Sequence, residues 1–108
     1  MSDSYDGASH HAITDMAFVR AIPNMTVITV ADAVETAKAV EAVAKYDGPV
    51  YLRLSRAAVP VVYDENMKFE IGKGIKLKEG KDLTIVTTGT ILSKAVEAAE
   101  ILEKKESM

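Results

Sequence analysis

The sequence of 108 residues contains no cysteine, so it has neither disulfide bonds nor thiolate chemistry. No hydrophobic run approaches the ~20 residues that a membrane helix needs, and the polar N-terminus has no signal-peptide pattern. Basic residues form no cluster, and 13 Lys and Arg stand against 16 Asp and Glu. We therefore expect a cytoplasmic protein with neither nucleic acid nor membrane as a partner.

What the sequence does contain is typical of a globular chain. Hydrophobic residues make up 48% and charged residues 27% of it. A chain of this length forms one domain at most, or pieces of two. Folding at this size buries roughly two thirds of the unfolded surface, which is enough for a modest core.

Reactive side chains concentrate in residues 6–11, which read Asp-Gly-Ala-Ser-His-His and hold both histidines of the chain. Asp6 alone could be part of a simple Asp-Gly turn, and His10 a polar loop residue. Adjacent residues at the start of a helix point in different directions, so His11 is expected to point away from His10 and to be structural. No metal site is predicted, because Asp6, His10 and His11 do not follow a metal-binding motif of known spacing.

The following residues alternate between helical and strand patterns, which predicts α/β layers with a parallel sheet. Residues 13–20 have helical spacing, with Asp15 and Arg20 facing water. Residues 25–31 and 50–55 are the predicted buried strands. Asp32 has the features of an N-cap, and Glu35 completes a capping box. A stripe of small side chains on the helix between the strands is expected to face the sheet: Ala33, Ala37, Val40 and Ala44.

Arg56 lies at the carboxyl end of the second strand, where ligands collect in open α/β sheets. The alternative for Arg56 is a surface ion pair of little energy. Arg53 is expected on the other face of the sheet, in a structural role. Further along, residues 69–77 could form a β-arm, residues 83–87 a buried-type strand, and Gly89 and Thr90 a turn before the last helix. One face of that helix is predicted to be apolar: Leu92, Ala95, Val96, Ala99 and Leu102.

Four stretches of the sequence resemble the second half of the pyrimidine-binding domain of transketolase: residues 6–13, 20–25, 31–35 and 47–56. Residues 71–74 and 83–89 resemble the start of the C-terminal domain of that family. The resemblance implies an α/β fold, with a partial parallel sheet and packed helices, that is part of a thiamine-diphosphate-binding fold. It divides the chain into a pyrimidine-domain half (1–62), a linker with a β-arm (63–82) and the start of the C-terminal domain (83–108).

The resemblance also implies an activity in carbohydrate metabolism, as in the pentose phosphate pathway. Transketolases transfer a two-carbon ketol unit between sugar phosphates with thiamine diphosphate and a divalent metal, Mg or Ca. By this resemblance Asp6 contacts a donor-sugar hydroxyl, His10 is catalytic beside the reacting carbons, and Arg56 binds the sugar phosphate. The residue types suit these roles, since His transfers protons near neutral pH and a planar guanidinium holds phosphate well.

The family residues that activate and bind the cofactor have no counterpart in this sequence, so no cofactor-binding residue is assigned. We expect the chain to be one part of a larger enzyme, inactive alone, with the remaining transketolase section or subunit as partner and a homo-oligomeric state. Two departures from the family are Val30, where proline is usual, and Thr14, where an acidic residue is usual. The second leaves Asp15 as the helix-start charge.

Two alternatives stay open. A deoxyxylulose-phosphate synthase or the beta subunit of a 2-oxo-acid dehydrogenase shares parts of this pattern and would use a pyruvate-type donor. A non-catalytic oligomerising module would instead associate through unpaired sheet edges and would ignore thiamine diphosphate and sugar phosphates.

Overall fold

The computed structural model describes residues 6–106, without the side chain of Glu106. After a short 3-10 turn at Ala8–His10 come helix α1 (Asp15–Val19), strand β1 (Thr26–Thr29), helix α2 (Ala33–Val43) and strand β2 (Val50–Arg53). A second 3-10 turn at Gly89–Ile91 leads directly into helix α3 (Leu92–Glu106). No helix within this described stretch is long and apolar enough to cross a bilayer.

The sheet consists of β1 and β2, which are parallel, with Thr26 opposite Val50 and Thr29 opposite Arg53. Helix α2 connects them, as parallel strands require a crossover. The α/β architecture predicted from the sequence is therefore confirmed, and both strands lie inside the predicted segments. Because the strands are parallel, their carboxyl ends meet at one edge of the sheet, where Thr29 and Arg53 are neighbours.

The start of α2 is fixed by reciprocal hydrogen bonds. Asp32 Oδ1 accepts a hydrogen bond from the Glu35 backbone N–H at 2.8 Å, and Glu35 Oε2 accepts one from the Ala31 N–H at 2.7 Å. Asp32 is thus the N-cap that the sequence predicts. The returning bond reaches Ala31, one residue before the position of an ordinary capping box.

The packing face of α2 was predicted incorrectly. The buried residue of this helix is Ala39, whereas the side chains of the predicted stripe all face outwards: Ala33, Ala37, Val40 and Ala44. Alanine and valine are spread around most of the helix circumference, so their spacing does not define one face. Ala39, which is fully buried, therefore marks the packed face of the helix.

The second half of the chain is less regular than expected. Among residues 6–106, neither the β-arm predicted at 69–77 nor the strand predicted at 83–87 is paired with another strand. Val86 is 91% exposed. A β-rich segment needs a neighbouring strand for its backbone hydrogen bonds, and this structure offers none beside it. The predicted face of helix α3 is covered over its first part, where Leu92 is buried and Ala95, Val96 and Ala99 are half-buried, whereas Leu102 is exposed.

The core is thin for a chain of this size. The buried hydrophobic side chains of the described part are small or medium in size: Val19, Val30, Ala31, Ala39 and Leu92. Every residue of β1 and β2 retains partial exposure. The radius of gyration is 15.7 Å, compared with roughly 13 Å for a compact domain of about 100 residues.

Candidate functional site

A pocket of about 510 Å³ lies at the carboxyl end of the sheet. His10 and His11 approach it from the N-terminal loop, and Arg56 from the segment that follows β2. Sequence reasoning singled out His10 and Arg56 separately, and the structure brings both to one cavity. His11, expected to be structural, also lines it.

Asp6 reaches the same place through an ion pair, in which the Arg56 guanidinium donates to the Asp6 carboxylate. The Arg56 side chain is 67% exposed and the Asp6 side chain 36%. An ion pair this open to water holds its partners weakly. A negatively charged ligand could therefore replace the carboxylate on Arg56 at small cost.

His10 is oriented by its preceding residue. Ser9 Oγ and His10 Nδ1 lie 3.0 Å apart in a hydrogen bond, within the 3-10 turn Ala8–His10. A bond at Nδ1 fixes the ring plane and leaves Nε2 as the nitrogen for exchange with a ligand. The ring is exposed, so a ligand entering the pocket can reach it.

Beneath the histidines lies a cluster that joins α1 to β2. Asp15 Oδ2 accepts hydrogen bonds from Arg53 Nε at 2.7 Å and from the Tyr51 hydroxyl at 2.9 Å. Arg53 Nη2 also donates to the Ala12 carbonyl oxygen at 3.0 Å. The Arg53 hydrogen bond holds the pKa of Asp15 below its usual range despite burial, and the Asp15 hydrogen bond raises the pKa of Tyr51.

Asp15 and Arg53 both lie elsewhere than the sequence predicts. Asp15 was expected to face water, but it is only 6% exposed. Arg53 was expected on the sheet face away from the ligand, yet it lines the pocket together with Tyr51. The two alternate at i and i+2 and so share one face of β2. That alternation, with an acidic residue at the start of α1, was the available signal.

The C-terminal part of the chain completes the rim. Thr88 Oγ1 donates to the Thr29 carbonyl oxygen at 3.2 Å, which places the turn Gly89–Ile91 against the end of β1. Thr90 from this turn lines the pocket. Sequence reasoning treated Gly89 and Thr90 as a turn and cap and did not connect Thr90 with the histidines.

The described residues do not form a divalent metal site. No three His, Asp or Glu side chains in that part of the chain are grouped so that they could hold a metal ion. The pocket instead offers arginine and histidine side chains, which suit an oxygen-rich anion. These residues therefore do not fit a metal-bound diphosphate.

Comparisons with known proteins agree with the resemblance read from the sequence. Residues 1–62 match the family model described as "Transketolase, pyrimidine binding domain", and residues 72–107 match "Transketolase, C-terminal domain". The Putative transketolase C-terminal section of Methanocaldococcus jannaschii is 46% identical over 101 residues, which are 92% of this chain and 32% of that protein. One of the subunits of an apulose-4-phosphate transketolase from Phocaeicola vulgatus is 40% identical over 100 residues, again 92% of this chain and 32% of that protein.

A solved structure described as "Split gene transketolase, inactive beta4 tetramer" superposes with a TM-score of 0.87 at 50% identity. The match covers 93% of this chain and 33% of that one. The chain thus spans about a third of the length of these relatives. Its fold and both halves of its sequence are those of transketolases, and the chain belongs to the transketolase family.

Proposed function

We propose that this chain supplies the sugar-phosphate site of a transketolase that transfers a two-carbon ketol unit between sugar phosphates. Membership of the family implies dependence on thiamine diphosphate. The observation that carries the proposal is the convergence of His10 and Arg56 on one pocket at the carboxyl end of the parallel strands. This is the edge where ligands bind in open α/β sheets.

Arg56 binds the phosphate of the sugar in this proposal. The guanidinium leaves the Asp6 carboxylate and forms bidentate hydrogen bonds to phosphate oxygens, the geometry that arginine favours. Asp6, released from its ion pair, accepts a hydrogen bond from a sugar hydroxyl. Because the ion pair is weak, the substrate can separate the two groups at small cost.

His10 is the proposed catalytic residue and acts on a hydroxyl proton beside the reacting carbons. Its Nδ1 is engaged with Ser9, so Nε2 faces the substrate and takes or returns the proton. A positioned histidine of this kind contributes about 10²- to 10⁴-fold in rate.

A second transketolase section would supply thiamine diphosphate and its divalent metal, Mg or Ca, because the described residues do not fit a diphosphate-bound metal. The relative from Methanocaldococcus jannaschii is called a C-terminal section, the one from Phocaeicola vulgatus a transketolase subunit, and the solved structure an inactive tetramer. These names support a homo-oligomeric chain that is inactive alone and works with such a partner, and we propose that it does so in the cytoplasm. The Phocaeicola vulgatus protein is named for apulose-4-phosphate, so the proposed donor is a ketose phosphate and is not restricted to the pentose phosphate pathway.

The test is reconstitution of the chain with a transketolase section that carries the thiamine diphosphate site. We expect turnover of a ketose phosphate donor by the mixture and none by either part alone. In the mixture, Arg56→Ala should raise the KM for a ketose phosphate about 10- to 100-fold, the loss expected for a charged hydrogen bond. The KM for the same ketose without phosphate should be nearly unchanged.

Arg20→Ala is the matched control, since Arg20 is an exposed arginine outside this pocket. An equal effect of Arg56→Ala on both donors would refute phosphate binding by Arg56. Turnover of pyruvate in place of ketose phosphates would favour the synthase or dehydrogenase alternative. A stable oligomer that ignores both donors and thiamine diphosphate would favour the non-catalytic module.

A further inference from the structure

We propose that Arg53 is a positioning residue. It fixes the histidine loop (residues 8–14) relative to Arg56, and so sets the distance between His10 and Arg56 at which a sugar phosphate is held. This inference rests on the proposed function for its effect on catalysis. Its structural part, the ordering of residues 8–14 by one guanidinium, stands independently of that function. Arg53 itself need not touch the substrate.

Arg53 contacts both α1 and the segment that precedes it. Its Nε donates to Asp15 Oδ2 at 2.7 Å, and its Nη2 donates to the Ala12 carbonyl oxygen at 3.0 Å. Ala12 directly follows His11, and Asp15 is the first residue of α1. One guanidinium therefore holds the end of the histidine loop at two points.

Arg53 also stands at the carboxyl end of the sheet. It is the last residue of β2 and is paired with Thr29 of β1. Arg56 lies three residues further along and lines the same pocket. A shift of Arg53 would change the distance between His10 and Arg56, the two groups that would hold opposite ends of a ligand.

The ion pair between Arg53 and Asp15 is shielded from water on the Asp15 side. The Asp15 side chain is only 8% exposed, and Tyr51 donates a second hydrogen bond to the same oxygen. Removing the arginine would leave a buried carboxylate short of a partner, which is costly. The exposed pair between Lys94 and Glu97, 2.9 Å apart on α3, has no such constraint.

The chemistry of arginine makes the prediction specific. Lysine carries the same charge, but its three donors sit on one nitrogen, so it cannot bind Asp15 and the Ala12 carbonyl in the fork-like geometry of a guanidinium. Arg53→Lys should therefore recover only part of the function. Tyr51→Phe removes one hydrogen bond from Asp15 and leaves both contacts of Arg53, so it should perturb the loop least.

The experiment compares Arg53→Met, Arg53→Lys and Tyr51→Phe with the control Lys94→Met. Amide hydrogen exchange is measured on the full chain, alone and reconstituted with the cofactor-bearing section. Steady-state kinetics follow a ketose phosphate donor in the reconstituted enzyme. For Arg53→Met we expect exchange of the amides of residues 8–14 to accelerate about tenfold while those of α2 keep their protection. We also expect KM to rise about tenfold or more, with a smaller change in kcat.

Lys94→Met should change neither measurement, and Arg53→Lys should fall between Arg53→Met and the wild type. Unchanged exchange in the histidine loop of Arg53→Met would overturn the proposal. So would a general loss of protection across β1, β2 and α2 with an unchanged KM, since that describes a purely structural residue. A wild-type assembly without transketolase activity would refute the proposed function, and the exchange measurement would still decide the role of Arg53.

Discussion

Asp32 Oδ2 accepts a hydrogen bond from the backbone N–H of Tyr63 at 2.9 Å. Asp32 is the N-cap of α2, whereas Tyr63 lies well beyond β2. The same oxygen accepts from the Val62 N–H at 2.7 Å, while Oδ1 caps the helix. Burial works against the charged carboxylate, but these backbone donors prevail and lower the pKa of Asp32. One side chain thus fixes both the helix start and the chain leaving the sheet.

Replacing Asp32 by alanine should destabilise the chain more than the loss of an ordinary helix cap. The cap alone accounts for about 1 kcal/mol. The two amides at Val62 and Tyr63 lose a charged acceptor as well, so we expect about 2–4 kcal/mol in total. Urea denaturation at neutral pH measures this difference. Asp82→Ala, the same change at an exposed position, should have nearly no effect. Similar midpoints for the two variants would contradict the structural role of Asp32.

The ion pair between Asp15 and Arg53 should make stability depend on pH in the acid range. Its hydrogen bonds lower the pKa of Asp15 in the folded chain below the ordinary value, which is about 3.9. The stabilisation is therefore complete above about pH 5 and is lost as pH falls through the folded pKa. Asp15→Asn should be less stable than the wild type at neutral pH, with a difference that shrinks as the pH falls below the ordinary carboxyl pKa of about 3.9. Denaturation midpoints across this range test it.

Glu97→Gln is the control for this pH dependence. The Lys94 hydrogen bond also lowers the pKa of Glu97, but both side chains are exposed. Salt screens an exposed pair far more than a buried one. Added salt should therefore abolish the small effect of Glu97→Gln and leave most of the effect of Asp15→Asn. A stability difference for Asp15→Asn that does not vary with pH would show that its folded pKa is not lowered.

A glycine series should separate backbone strain from steric contact where the C-terminal part meets β1. Gly89 has φ +70°, and a Cβ there would lie 2.9 Å from Thr29 Cγ2, whereas Gly72 has φ +87° and open space. Gly74 has neither constraint. We expect Gly74→Ala to be almost neutral, Gly72→Ala to cost about 1 kcal/mol and Gly89→Ala clearly more. Thermal unfolding of the three variants tests the order, and an equal cost at Gly72 and Gly89 would exclude the contact with Thr29.

Local signals predicted the first half of the fold well. The β-branched run around Val27 and Ile28 has few alternatives to a strand, and Asp32 followed by Glu35 defines a helix start by chemistry alone. Arg56 could be placed at a ligand-binding edge because parallel strands end together. These features depend on neighbours in sequence, so sequence patterns are sufficient to find them.

Features that depend on distant partners were missed. Asp15 resembles any polar residue at a helix start, and only the fold brings it to Tyr51 and Arg53. The packing face of α2 was predicted wrongly for a related reason, because alanine is compatible with either face of a helix. Residues 83–87 have strand composition, but a strand exists only where another one pairs with it. The family resemblance supplied Asp6 and His10 as candidate site residues, which composition alone could not do.

The two-stranded sheet, in which every residue stays partly exposed, has a thermodynamic consequence. A surface that covers the sheet binds the folded chain and not the unfolded one, so it acts on folding as a ligand does. The melting temperature of such a chain is not a constant of its sequence. A partner that covered the sheet would raise it with the logarithm of that partner's concentration, and mass action would then connect folding to assembly.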